Sequence, residues 1–273
     1  MTQSNHALPG AVALLTFALT CASAPSARAD EDLAKQLNNP VAALISFPIQ
    51  SNFDYSVGPN DGWRMNTNIQ PVIPFELNKN WNMISRTILP VIYQDDVFPG
   101  QNQFGLSDTT QSLFFSPVAP TKTSLGNLIW GAGPVAEIPT STDRRLGGGY
   151  FGLGPTGVAL IQQGPWTYGA LANHVWGVTE TRSDLPSLNR TFLQPFLAYT
   201  TKESWTFSVN GEMTYDWTSD ELSGPVNFGI AKVTKIGEQN IQLQGRLRWW
   251  AADTETSPEG LGFTVAITFL FPK

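Results

Sequence analysis

Between Ser204 and Trp217 the chain reads SWTFSVNGEMTYDW, and apolar side chains fall on every second position. Trp205, Phe207, Val209, Met213, Tyr215 and Trp217 share one parity, with Gly211 the only gap, while Ser204, Thr206, Ser208, Asn210, Glu212, Thr214 and Asp216 share the other. A period of two predicts an extended strand, because successive side chains leave opposite faces. The same alternation runs through 45–56, 63–77, 241–249 and 261–271. Weaker versions over 81–93, 109–116, 127–138, 150–161, 166–178, 190–200 and 225–233 bring the expected total to about twelve strands, at roughly twenty residues per strand and connection.

The connections alternate too. Asn78-Lys79-Asn80, 162–165 and 201–203 read as tight turns, whereas 94–108, 139–149, 179–189 and 251–260 are longer and polar. Short turns at one end and long loops at the other are the mark of an antiparallel transmembrane barrel. Segments 116–126 and 234–239 fit this scheme least well, and their register is left open.

A soluble sandwich or lipocalin-like barrel would also alternate, so the pattern has to be weighed by its length and its faces. Soluble strands usually run about five or six residues, whereas 45–56, 63–77 and 204–217 each exceed ten. Trp205 and Trp217 are separated by roughly 40 Å along an extended strand, or about 30 Å of height at a tilt near 40°, which is the spacing of two interfacial aromatic belts. The polar parity is rich in Asn, Gln, Ser and Thr and interrupted by charges of both signs. Arg64, Glu76, Arg86, Glu137, Arg190, Glu212, Arg246 and Arg248 are the residues expected to line the lumen. Trp63, Trp81, Trp205, Trp217, Trp249 and Phe271 are the expected membrane girdle. The fold expected is therefore all-β, an antiparallel transmembrane β-barrel of residues 45–273.

Composition agrees with many turns and strands, with 24 Gly, 20 Pro and nine Trp but only 14% charged residues. That balance argues against a helical bundle and against disorder. The N-terminus reads as an export signal: Ala11 to Leu19 is a short apolar run, and Ala27-Arg28-Ala29 offers a small-x-small site, so cleavage is expected after Ala29. Cys21 as a lipidation site is the alternative, weakened by the bulky Thr20 before it. Cleavage after Ala29 removes the only cysteine, which rules out disulfide frameworks and thiolate metal sites in the mature chain. It also removes Arg28 and no acid, moving the formal charge from −6 to −7, a poor balance for binding nucleic acid. Residues 30–44 then form a leader, with Leu33, Ala34 and Leu37 on one side of a short helix stopped by Asn39-Pro40. This segment is expected either to trail in the periplasm or to plug the lumen.

Several phrases resemble those of the bacterial outer-membrane transporters grouped with the meta-pathway phenol-degradation outer-membrane proteins. They are LAKQLNNPVAALISFP at 33–48, FGLSDTTQSLFFSP at 104–117, YFGLGPTG at 150–157, ALANHVWG at 170–177, FLQPFLAYT at 192–200 and the closing FLFPK. The resemblance spans nearly the whole mature chain and implies an outer-membrane barrel that admits small hydrophobic or aromatic compounds. Membrane lipid and a small solute are the partners it implies.

Enzymatic readings find little support. Outer-membrane phospholipases and deacylases resemble one another in a His-x-Ser pattern, but His174 is followed by Val175-Trp176. An acidic rim protease would need several Asp beside a His. Gly147 to Gly152 satisfies G-x-G-x-x-G, yet Leu153-Gly154-Pro155 follows where a helix would be required, so it reads as a loop entering a strand. The acids Asp95, Asp96, Asp220, Glu221, Asp253, Glu255 and Glu259 read as solvated loop charge. No catalytic residue, cofactor or metal is expected. The competing class is a non-transporting barrel, structural or hydrolytic.

Overall fold

The computed structural model describes residues 26–180 and 187–272. Most of the expected signal segment, Cys21 included, lies outside the described residues. The elements are α1 (Ser26–Leu37), β1 (Ile45–Val57), β2 (Gly62–Ile69), β3 (Val72–Asn78), β4 (Trp81–Phe98), β5 (Gln101–Leu106), β6 (Thr109–Pro117), β7 (Thr121–Thr123) and β8 (Gly126–Ile138). They continue with β9 (Tyr150–Gln163), β10 (Trp166–Glu180), β11 (Asn189–Thr200), β12 (Trp205–Gly211), β13 (Met213–Asp216), β14 (Glu221–Ile236), β15 (Gln239–Ala252) and β16 (Leu261–Phe271).

All pairings are antiparallel and join sequence neighbours, and the first strand pairs the last from Ile45↔Phe271 to Phe53↔Phe263, which closes the sheet. Closure leaves no edge to pair with other chains. β2 with β3, β5 with β6, and β12 with β13 each make one barrel strand, and β7 is a short hairpin arm on β8, so the barrel has twelve strands.

Proline explains two of the interruptions. The expected strand 63–77 breaks at Gln70-Pro71, where Pro71 has no N–H to give. The register on β4 nevertheless continues from Ile69↔Leu89 to Val72↔Arg86, so side chains keep their faces across the break. Strand 204–217 breaks at Glu212, whose N–H donates to Pro225 O at 2.9 Å while Pro225 returns no N–H. The third junction, at Ser107-Asp108, is a one-residue slip against β4.

One expected loop is in large part paired strand, and one segment of open register is a turn. Much of 94–108 is a hairpin arm of β4 and β5, turned at Pro99-Gly100 and stitched by Gln94 Nε2 donating to Gln103 Oε1 at 2.7 Å. Polar strands pair as well as apolar ones, and their composition concealed the hairpin. Segment 234–239 is the tight β14–β15 turn, with Gly237 at φ 61° supplying the left-handed residue. It joins the turns 79–80, 164–165 and 201–204 at the end where Ile45 and Phe271 also lie.

Outward positions are apolar. Phe47, Phe75, Phe207, Phe228, Leu247 and Phe263 are all exposed, far more apolar surface than a water-soluble barrel presents. Among the described residues there are three buried apolar clusters, one of them Val135, Tyr150, Val175 and Leu188, and the N-terminal segment belongs to the other two. Leu33, Ala34, Ala42 and Leu44 pack on Val233 and Leu270, while Val41 packs on Ile84, Phe114, Val158, Leu160 and Leu171 on the opposite wall. A Cβ on Gly131 would come within 3.0 Å of Val41 Cγ1, so glycine there makes room for the segment. Pro40 ends the helix, and Asn39 Oδ1 accepts from Val41 N at 3.0 Å to turn the chain toward β1.

Candidate functional site

Above the N-terminal segment lies an internal cavity of about 540 Å³, floored by 36–40, Ala42 and Leu44. This is the size range of sites for small organic molecules. Its walls differ. β1, β2, β15 and β16 contribute Gln50, Asn68, Gln242, Gln244 and Thr268, whereas β6, β10 and β11 contribute Phe114, Leu171, Val175, Phe192 and Phe196. The expected polar lumen is thus corrected to one with a polar half and an apolar half. The apolar half was written in the same alternation, since Phe192 and Phe196 share the parity of Arg190 and Gln194.

Of the eight expected lining residues, Arg86, Glu137, Arg190, Glu212 and Arg246 line this cavity. Arg190 Nη2 pairs with Glu137 Oε1 at 2.7 Å. Glu212 is shared: Arg246 Nη1 reaches Oε1 at 3.3 Å and Arg248 Nη1 reaches Oε2 at 3.4 Å. Arg246 also donates to Gln50 Oε1. Arg248 is not a cavity residue but a wall tie, donating through Nε to Asp54 Oδ1 at 2.9 Å. Asp54, which also accepts from Trp250 Nε1 at 2.9 Å, is absent from the expected eight, although its even position on β1 marks it as inward. Arg64 donates to Gln94 Oε1 at 2.9 Å, toward the loop end. Glu76 is exposed at the end of β3 beside the 79–80 turn, outside the cavity.

The aromatic residues form outward pairs at both ends. Trp81 meets Trp130 edge-on at 5.7 Å, and Trp166 meets Tyr199 at 4.8 Å, at the short-turn end. Trp205 opens β12 at that end, with Lys232 Nζ over its ring at 5.2 Å, and Phe271 closes β16 there, exposed. At the loop end Trp63 meets Tyr93 at 5.2 Å, Tyr215 meets Trp217 at 4.7 Å, and Trp249 is exposed. Trp130, Trp166 and Trp176 occupy outward positions of the same kind and were missed because their strands alternate weakly.

His174 faces outward. Its Nδ1 lies 2.7 Å from Thr191 Oγ1 and its ring stacks at 4.2 Å on Trp176. The amides of Gly147–Gly152 are not free for a dinucleotide: Gly148 N and Gly149 N donate to Asp108 Oδ2 at 2.7 and 3.2 Å. This carboxylate thereby folds the 139–149 loop inward over the barrel. The acids Asp61, Glu221, Asp253, Glu255 and Glu259 line a solvent-open cavity of about 770 Å³ among the loops. Among the described residues no group of three or more His, Cys, Asp or Glu is placed to hold a metal ion.

No protein-family model and no curated protein sequence matches the chain. Solved structures do resemble it. An outer membrane channel from Pseudomonas putida F1 superposes with a TM-score of 0.62 at 16% identity, covering 84% of this chain and 94% of that one. Outer membrane phospholipase A from Escherichia coli superposes with a TM-score of 0.55 at 11% identity, covering 90% and 98%. At these identities the likeness is one of fold, that of bacterial outer-membrane barrels.

Proposed function

We propose that this chain is an outer-membrane channel for small organic solutes with an apolar part, exported by its N-terminal signal and surrounded by lipid along its apolar outer band. The observation that carries this reading is the interior. A closed barrel, whose outer face offers hydrocarbon-compatible side chains, encloses a solute-sized cavity lined by arginines, amides and phenylalanines, with amides predominating on β1, β2, β15 and β16 and the phenylalanines on β6 and β11. A merely structural barrel gains nothing from keeping five ionisable groups around an internal space, since each is costly to desolvate. The outer membrane channel that superposes on this barrel supports the same reading, and hydrophobic or aromatic compounds as cargo are what the resemblance of the chain's phrases to phenol-degradation transporters implies.

In this reading the short-turn end faces the periplasm and the long loops face outward. The outward aromatic pairs then stand at the two lipid–water boundaries. Segment 30–44 is the inner gate. It joins opposite walls through Leu33, Ala34 and Val41, and is tied by Asn38 Nδ2 to Thr200 Oγ1 at 3.1 Å and by Gln162 Nε2 to Lys35 O at 3.2 Å. Two single hydrogen bonds and small apolar contacts hold it, which suits an element that must yield.

The experiment is conductance of the purified chain in planar bilayers together with swelling of proteoliposomes in phenol and benzyl alcohol. Discrete conductance steps and solute-dependent swelling are expected. A barrel that shows heat-modifiable migration, and so is folded, yet stays silent across voltages and solutes would overturn the reading.

A further inference from the structure

The polar and apolar halves of the cavity meet at Arg86. On the inward face of β4 it stands between Ile84 and Ile88, and its backbone partners are Val72 on β3 and Ser112 on β6. The next inward residue on β6 is Phe114, roughly 7 Å along the strand from Ser112. Ser112, Phe114, Ile88 and Arg86 all line the cavity.

Arg86 differs from the other arginines there. Arg190 has Glu137, and Arg246 has Glu212 and Gln50. Among the described residues the Arg86 guanidinium makes one hydrogen bond, Nη2 to Gln70 Oε1 at 3.2 Å, and no ion pair. Glu212, the acid whose charge reaches it, is already shared by Arg246 and Arg248. A guanidinium carries five N–H donors in a planar fork that matches a carboxylate. Among the described residues Arg86 therefore brings a guanidinium with no carboxylate in contact, and a nearly unused fork, to the edge of the apolar wall.

We propose that the cavity binds small monocarboxylates with an apolar body, the head group on Arg86 and the Ser112 hydroxyl and the body against Phe192 and Phe196, the half-buried aromatic side chains that line the cavity over the buried Phe114. The proposal rests on the reading of the chain as a solute channel and specifies its cargo. A neutral alcohol of the same shape satisfies the apolar wall but leaves the charge of Arg86 unanswered. The acids of the loop rim do not oppose this, because they are in solvent, where their field decays over about 8 Å at physiological salt.

The test is equilibrium dialysis of radiolabelled benzoate, and of benzyl alcohol as its uncharged counterpart, against the folded full chain in neutral detergent. Benzoate should bind saturably and on the order of tenfold or more tighter than benzyl alcohol, the worth of a charged hydrogen-bonded pair. Arg86→Gln should remove that preference, and Arg86→Lys should retain part of it. Equal binding of the two probes by the unmodified chain overturns the proposal whatever the variants do, and so does a preference that survives Arg86→Gln. If Arg86→Gln does not fold, Phe196→Leu, at a half-buried cavity-lining position, provides the second reading. Weaker binding of both probes by a similar factor supports the site, and no change in either overturns it. Dialysis needs no permeation. A chain that binds benzoate and conducts nothing keeps this proposal and loses the channel, whereas one that conducts without preference does the reverse.

Discussion

Asp54 of β1 and Arg248 of β15 meet at 2.9 Å across β16, where Gly262 pairs with Arg248 and the next residue, Phe263, pairs with Phe53. A Cβ on Gly262 would come within 2.5 Å of Phe53 O and 2.7 Å of Asp54 Oδ1, so glycine leaves the corridor through which the pair joins. Both side chains are buried, at 6% exposure each. The pair thus clamps the seam where the two ends of the chain close the barrel.

Removing Asp54 takes from buried Arg248 the nearer of its two carboxylates, leaving Glu212 Oε2 at 3.4 Å, and from Trp250 Nε1 its acceptor, so Asp54→Ala should destabilise the barrel by about 2 kcal/mol. Gly262→Ala should also destabilise it, through the close approach to Phe53 O. Urea unfolding from lipid vesicles, followed by tryptophan fluorescence, reads both. An unchanged midpoint for Asp54→Ala would mean that β1–β16 pairing alone holds the seam.

The N-terminal segment makes a different prediction, about permeability. Ala34 is fully buried against Val233 and Leu270, and an arginine there cannot be accommodated without moving α1. Ala34→Arg should leave the barrel folded, since the strands carry their own hydrogen bonds, and should raise conductance and swelling rates. Unchanged conductance in a folded Ala34→Arg barrel would show that this segment is not the gate.

The barrel was legible because its alternation carries two independent messages, strand and face. Trp205 to Trp217 shows both: the strand is broken at Glu212, yet every side chain keeps the face the sequence assigned to it. What alternation does not encode is position along the strand. Glu76 has the same inward parity as Arg86 but sits at the turn, outside the cavity. Nor does parity encode partners: the even position of Asp54 on β1 marks it as inward but says nothing of Arg248 and Trp250, which give it a role. Arm hairpins such as β4–β5 are hidden for the opposite reason, since above the membrane neither face of a strand needs to be apolar.

Among the described residues Glu212 is one of two acids that offset the three arginines lining the cavity. It is shared by Arg246 and Arg248 and reaches Arg86, so Glu212→Gln withdraws the one negative charge that serves three arginines. The reversal potential in a KCl gradient should shift toward anion selectivity, with the permeability ratio changing about twofold or more. Glu212→Asp should stay near the unmodified value. A shift toward cations in Glu212→Gln would show that ions pass away from this cluster.

His174 decides between transport and hydrolysis. Thr191 Oγ1 accepts from Trp217 Nε1 at 2.8 Å, which leaves its hydroxyl proton for His174 Nδ1 at 2.7 Å. That is the contact a base makes with a nucleophile. Hydrolysis also needs a third group that orients the imidazole and stabilises its charge, and among the described residues the buried His174 Nε2 has no hydrogen-bond partner. The ring is instead held by Trp176 in the outward aromatic layer. Purified protein in phospholipid vesicles should therefore release no fatty acid above background, and His174→Ala should leave conductance unchanged while costing about 1 kcal/mol of stability from the lost hydrogen bond. Fatty-acid release that disappears in both His174→Ala and Thr191→Ala would assign the outer face a hydrolytic site and displace the channel as the primary function.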